Sequence, residues 1–148
     1  MKNFILLLVS TFSFNSLSAQ TPSVNSEKMS KILVHITQGT ENPTRAALGF
    51  LIAKTALEEG HTVSIFLAGD AVKLLQDSVL NTLSGLGTGK LRDHYESIVK
   101  NNGRFYLSGN SSKARGVTDA DIKGKPAEFA LPTVLLRLSL ESDRMFTY

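Results

Sequence analysis

Nine consecutive residues, Ser108-Gly109-Asn110-Ser111-Ser112-Lys113-Ala114-Arg115-Gly116, hold the densest chemistry in the chain. They bring three hydroxyls, an amide and two cations together with two glycines. Hydroxyl and amide donors beside a guanidinium and an ammonium suit the holding of an anion. A serine beside a lysine could also serve as nucleophile and base, with Ser108 or Ser112 attacking. The hydrolase turn is incomplete, because Gly109-Asn110-Ser111-Ser112-Lys113 has Lys113 where that pattern needs a second glycine. The run follows Arg104-Phe105-Tyr106-Leu107, a short β-rich segment. Read as a loop after a parallel strand, it lies at the edge where open α/β sheets hold their ligands.

Other chemistries fall away. Gly85-Leu86-Gly87-Thr88-Gly89-Lys90-Leu91 invites a phosphate-loop reading, but Ser84 stands at the first glycine and Leu91 at the hydroxyl position. It reads as a flexible connection. The chain has no cysteine, which removes disulfides, thiolate metal sites and cysteine nucleophiles. Its three histidines, His35, His61 and His94, show no ligand-like pairing, so no metal and no cofactor are expected. His35 reads as a buried, hydrogen-bonded strand residue, His61 as a turn residue and His94 as part of a solvated helix face.

The 148 residues are 42% hydrophobic and 20% charged, the balance of one domain with a core of its own. Aromatics make up 7% with no Trp, and the formal charge of +3 is scattered, so no nucleic-acid partner is expected. The start reads as a secretory signal peptide over 1–19: Met1-Lys2-Asn3, an apolar run from Phe4 to Phe14, and small residues to Ala19. That run is short of the ~20 residues of a membrane span, so no span remains once it is removed. The expected location is exported, periplasmic. Residues 20–30 read as a flexible leader and 31–148 as the folded domain.

Alternating elements must position the chemistry. Lys31 to Thr37 is an unbroken β-branched run, as in a strand covered on both faces. Asn42-Pro43 predicts a helix start and Gly60 its end. His61 to Leu67 is a second strand, and Asp70 is expected to cap the next helix. Asp77 to Gly89 reads as a short helix and a mobile loop, Lys90 to Asn101 as a helix, and Arg104 to Leu107 as the third strand. Thr118 can cap a turn through Asp121 and Ile122. Pro132 to Glu141 is a last helix with Val134, Leu135 and Leu138 inward, and Asp143 to Tyr148 a last strand. The pattern predicts α/β: a three-layer α/β/α sandwich with a mostly parallel sheet of four to five strands. The fifth could lie within Asp77 to Gly89 or near Glu128 to Leu131.

If the sheet is parallel, three loops share its carboxyl edge. They carry Gly39, Thr40 and Asn42; Gly69 and Asp70; and Ser108, Asn110, Ser111, Ser112, Lys113 and Arg115. These are the candidate ligand-binding residues. Helix N-termini at that edge favour negative charge, so a small anionic molecule is the expected guest. The competing reading makes the same residues helix caps and nothing more.

The domain from Lys31 to Tyr148 resembles the DsrE/DsrF-like family, the fold of small sulfur-relay subunits. The resemblance is carried by Lys31-Ile32-Leu33-Val34-His35 leading into Gly39 and by Glu59-Gly60-His61-Thr62-Val63 with Phe66-Leu67-Ala68-Gly69-Asp70. It is carried further by Gly87-Thr88-Gly89, by Ser108 to Gly116, and by the closing Asp143 to Tyr148. It implies a five-stranded parallel sheet and assembly into a homo-oligomer: dimer, trimer or hexamer. It also implies a sulfur-carrying Cys just after the third strand, and that position falls on Ser108. A serine hydroxyl cannot hold a persulfide, so the pocket is expected without the relay chemistry. Three functions follow as expectations: non-catalytic binding of an anionic or sulfur-containing ligand, a structural subunit of an assembly, or an enzyme using Ser108 or Ser112.

Overall fold

The computed structural model describes residues 28–148. The expected signal peptide and most of the expected leader lie outside the described residues. Five parallel strands form one sheet: β1 (Lys31–Ile36), β2 (Thr62–Leu67), β5 (Arg104–Ser108), β6 (Ala127–Ala130) and β7 (Arg144–Thr147). Their order is β6-β5-β2-β1-β7. A two-stranded hairpin, β3 (Ser84–Gly85) with β4 (Gly89–Lys90), stands apart from the sheet. The fifth sheet strand falls at Ala127–Ala130, one of the two places left open for it.

The first connection shows why these residues form these elements. The Asn42 carboxamide accepts from the Arg45 N–H at 3.2 Å, and Pro43 takes the first turn of α1 (Pro43–Glu58), where a missing N–H costs nothing. Ala46, Ala47, Phe50 and Ala53 then lie buried on the sheet. Gly60, at φ +88°, turns the chain into β2. α3 (Leu91–Lys100) packs beside α1. At the centre of this layer the Phe105 ring lies 5.6 Å from both Phe50 and Tyr95.

Handedness settles the rest. The chain steps from β1 to β2 to β5 to β6 in one direction, and right-handed crossovers keep those connections on one face. The step from β6 back to β7 runs the other way, so α6 (Pro132–Glu141) lies on the opposite face. There Leu138 packs on Leu33, Phe66 and Ala130, with Val134 and Leu135 alongside. The connections after β5 and after β6 therefore leave the sheet toward opposite faces. That divergence opens a crevice at the carboxyl ends of β5 and β6, the general place for ligands in such sheets.

Several local expectations are corrected. Asp70 caps nothing: the segment after β2 is a 3-10 helix, Gly69–Leu75, preceded by Ala68, and Asp70 points elsewhere. The 77–89 segment begins with the expected short helix, α2 (Asp77–Leu80), but the hairpin follows it instead of a mobile loop, because Leu80 and Leu83 are buried and anchor it. His94 is not on a solvated face; it is buried, with Nε2 2.6 Å from the Thr88 carbonyl oxygen, under the hairpin. His35 is half-buried against the edge of Phe66, but its Nε2 has no hydrogen-bond partner among the described residues. Burial holds its pKa below the usual imidazole value.

Candidate functional site

The nine-residue run is built around a short helix, not a loop. Ser108 ends β5 and α4 spans Gly109–Ala114. Serine, asparagine and glycine favour helices weakly, so this turn depends on its surroundings. The Ser108 Oγ accepts from the Ser111 N–H at 3.4 Å, and the Gly69 N–H donates to the Ser111 Oγ at 3.1 Å. Arg115 Nε donates to Asp70 Oδ1 at 2.8 Å. One side of α4 is thus fastened to the loop after β2.

The loop after β1 joins the same knot. A Cβ on Gly39 would lie 2.6 Å from the Asp70 carbonyl oxygen, so only glycine lets the two backbones approach this closely. The Glu41 carboxylate accepts from the Gly39 N–H at 2.7 Å; the Asp70 hydrogen bond first, and the Glu41 charge after it, favour protonated Arg115. Gly39, Gly69, Asp70, Ser108, Ser111 and Arg115 therefore do come together. Asn42 is spent on capping α1, while Thr40 and Asn110 are exposed away from these bonds.

The other side of α4 faces a cleft of about 490 Å3, lined by Gly109, Ser112, Lys113, Gly116, Val117, Thr118, Asp119 and Phe129. That size is within the range of small-molecule sites, roughly 300–1,000 Å3. The crevice between the carboxyl ends of β5 and β6 contains it. Ser112 is 1% exposed, and its hydroxyl has no hydrogen-bond partner among the described residues. A buried unpaired hydroxyl costs about 1–3 kcal/mol. The far wall is set by α5 (Asp119–Ile122), where the Asp121 carboxylate accepts from the Thr118 N–H at 2.7 Å.

Sequence reasoning missed the far wall, Val117 to Asp119 with Phe129, and also Glu41. No signal in the sequence pointed to those residues; the one helical spacing present divides only the run around α4. Gly109, Ser112, Lys113 and Gly116 recur at the spacing of one helical face, and Ser108, Ser111 and Arg115 at the spacing of another.

The sequence profile of the DsrE/DsrF-like family matches residues 30–148. The chain belongs to this family. Among solved structures, the ychN protein from E. coli superposes with a TM-score of 0.66 at 18% identity, covering 81% of this chain and 100% of its own. A conserved protein of unknown function, BT1422 from Bacteroides thetaiotaomicron, superposes with a TM-score of 0.60 at 12% identity, covering 80% and 95%. No curated protein matches by sequence. Identities this low speak for the fold alone.

In this DsrE/DsrF-like domain the Arg115 hydrogen bond holds the Asp70 carboxyl below the usual carboxylate range. The folded state therefore binds that proton less readily than the unfolded chain does. The stability this pair contributes is full above the unfolded value, near ~4, and is lost as pH falls through the folded-state pKa. Urea midpoints measured from pH 7 to pH 2 should show a shallower acid decline in Asp70→Asn than in the wild type. An identical decline in both proteins would contradict the assignment.

Proposed function

We propose that the chain is an exported, non-catalytic DsrE/DsrF-like domain that binds a small anionic or sulfur-containing molecule at the carboxyl edge of its sheet. The observation that carries this reading is the cleft beside α4. It combines a buried, unpaired Ser112 hydroxyl with Lys113, which has no ion pair among the described residues. Arg115, by contrast, is already neutralised by Asp70, so Lys113 supplies the charge. The chain has no cysteine to carry sulfur covalently, which leaves non-covalent holding. A nucleophilic serine needs a base in hydrogen-bond reach; the Ser108 hydroxyl instead accepts from the Ser111 N–H. The exported location rests on the Phe4–Phe14 run and predicts a mature protein that begins near Gln20 by intact mass.

Thermal unfolding with sulfite, thiosulfate, phosphate and nucleotides tests the binding. At 100 times Kd a ligand adds about 2.7 kcal/mol of stability. Wild type is stabilised by at least one anion, Lys113→Ala loses that gain, and Arg115→Ala keeps more of it than Lys113→Ala does. No stabilisation by any anion would contradict the reading. Ser112→Ala adds a second expectation: it raises the stability of the ligand-free protein by about 1 kcal/mol, because an unpaired hydroxyl is removed, and it weakens binding. A loss of stability would show that the hydroxyl is satisfied after all.

A second reading, a subunit of a homo-oligomer, is favoured by a separate observation. Leu136 and Leu140 stand one turn apart on the outer face of α6, 61% and 78% exposed, with Leu131, Met145 and Phe146 also exposed nearby in sequence. Clustered exposed apolar residues mark interaction surfaces. Light scattering after size exclusion should find an assembly that Leu136→Glu with Leu140→Glu dissolves. A strict monomer would contradict it.

A further inference from the structure

We infer that the cleft beside α4 prefers a monoanion with an apolar body, such as a short branched or aromatic carboxylate, over compact dianions. This rests on the anion-binding reading above and narrows it to a ligand class. The cleft's apolar wall is Val117, 5% exposed, with the half-buried Phe129. Gly109 and Gly116 add no side chains, which leaves room beside that wall. Its charged lining residues are Lys113 and Asp119, one of each sign. One negative charge on the ligand is balanced by Lys113. A second would face Asp119 uncompensated; both lining charges are exposed, so the repulsion is screened by water and amounts to a severalfold loss of affinity. The apolar body gains by covering the half-buried Phe129, with Val117 closing the wall behind it, and each methylene of the ligand taken out of water tightens binding about fourfold. The unpaired Ser112 hydroxyl supplies a neutral donor at the base of the cleft, which suits a carboxylate oxygen.

Calorimetric titration of the full chain with acetate, isovalerate, phenylacetate, phosphate, thiosulfate and the neutral 2-phenylethanol tests the inference. Phenylacetate and isovalerate are expected to bind about tenfold or more tightly than acetate, and more tightly than either dianion. Asp119→Asn should strengthen phosphate and thiosulfate severalfold while leaving phenylacetate within about twofold, since only the dianions meet that carboxylate. Val117→Thr keeps the shape and should weaken phenylacetate without changing acetate. Equal affinity for acetate and phenylacetate, or tighter binding of thiosulfate or phosphate, overturns the inference while anion binding itself stands. If 2-phenylethanol binds as well as phenylacetate, or no anion binds, the inference and the anion-binding reading both fall. An Asp119→Asn protein with unchanged phosphate and thiosulfate affinity overturns the charge argument even if Val117→Thr fails to fold.

Discussion

Phe105→Ala lowers the stability of the domain by about 3–5 kcal/mol, measured as urea unfolding at neutral pH. Phe105 is 1% exposed, the second residue of β5, with the rings of Phe50 and Tyr95 each 5.6 Å away. Truncation removes the transfer energy of the ring and leaves a cavity between α1, α3 and the sheet. Neither helix can close that cavity alone, because α1 is fixed at its start by the Asn42 cap and α3 is held under the hairpin through His94. The loss is a large share of the 5–15 kcal/mol that typically separates folded from unfolded domains. Glu128→Ala on β6, an exposed position, serves as the control and changes stability by less than about 0.5 kcal/mol. A Phe105→Ala cost near 1 kcal/mol would mean that the core relaxes far more freely than this packing allows.

Gly39→Ala is expected to cost about 1–3 kcal/mol and to disturb the site as well as the fold. The added Cβ would meet the carbonyl oxygen and carbon of Asp70 at 2.6 and 2.8 Å. Both are backbone atoms and cannot rotate aside like a side chain. The loop after β2 must move, and with it the Asp70–Arg115 pair and the Gly69 N–H bond to Ser111. Urea midpoints report the stability loss. The Arg115 Nε–H resonance reports the pair, and it should broaden or vanish in the variant. Thr40→Ala, one residue on and exposed, leaves both unchanged. If Gly39→Ala folds with wild-type stability and a normal Arg115 signal, the close approach of the two loops is wrong.

What was legible in the sequence follows from which forces act locally. The β1 run is covered on both faces and so reads as continuous apolar residues, and Asn42-Pro43 announces α1 through cap chemistry that needs no tertiary partner. β6 was harder. Ala127-Glu128-Phe129-Ala130 has no clear period, and it becomes a strand because β5 offers it a ladder from Phe105↔Ala127 to Ser108↔Ala130. In sequence α4 resembles a loop for a similar reason. Its residues are weak helix formers, and the bonds that hold it run to Gly69 and Asp70, some forty residues away in sequence. His94 looked solvated beside Arg92, Asp93 and Glu96; the hairpin that buries it depends on the turn at Gly87 and Gly89, both at positive φ. The candidate residues are expected at one edge of the sheet, and Gly39, Gly69, Asp70, Ser108, Ser111 and Arg115 do meet there. The site's division into a fastened side and an open side could not be read before α4 was known to be helical.

The most direct measurement is an amide-resolved NMR titration of the full chain with thiosulfate and with phenylacetate. Binding beside α4 predicts saturable shifts centred on Gly109, Ser112, Lys113, Gly116 and Val117, with Lys113→Ala abolishing them. A second cleft, lined by Arg104, Tyr106 and Glu128 at the β5–β6 edge, provides the contrast. Shifts that never saturate, or that centre on Arg104 and Glu128, would contradict a binding site at the carboxyl edge.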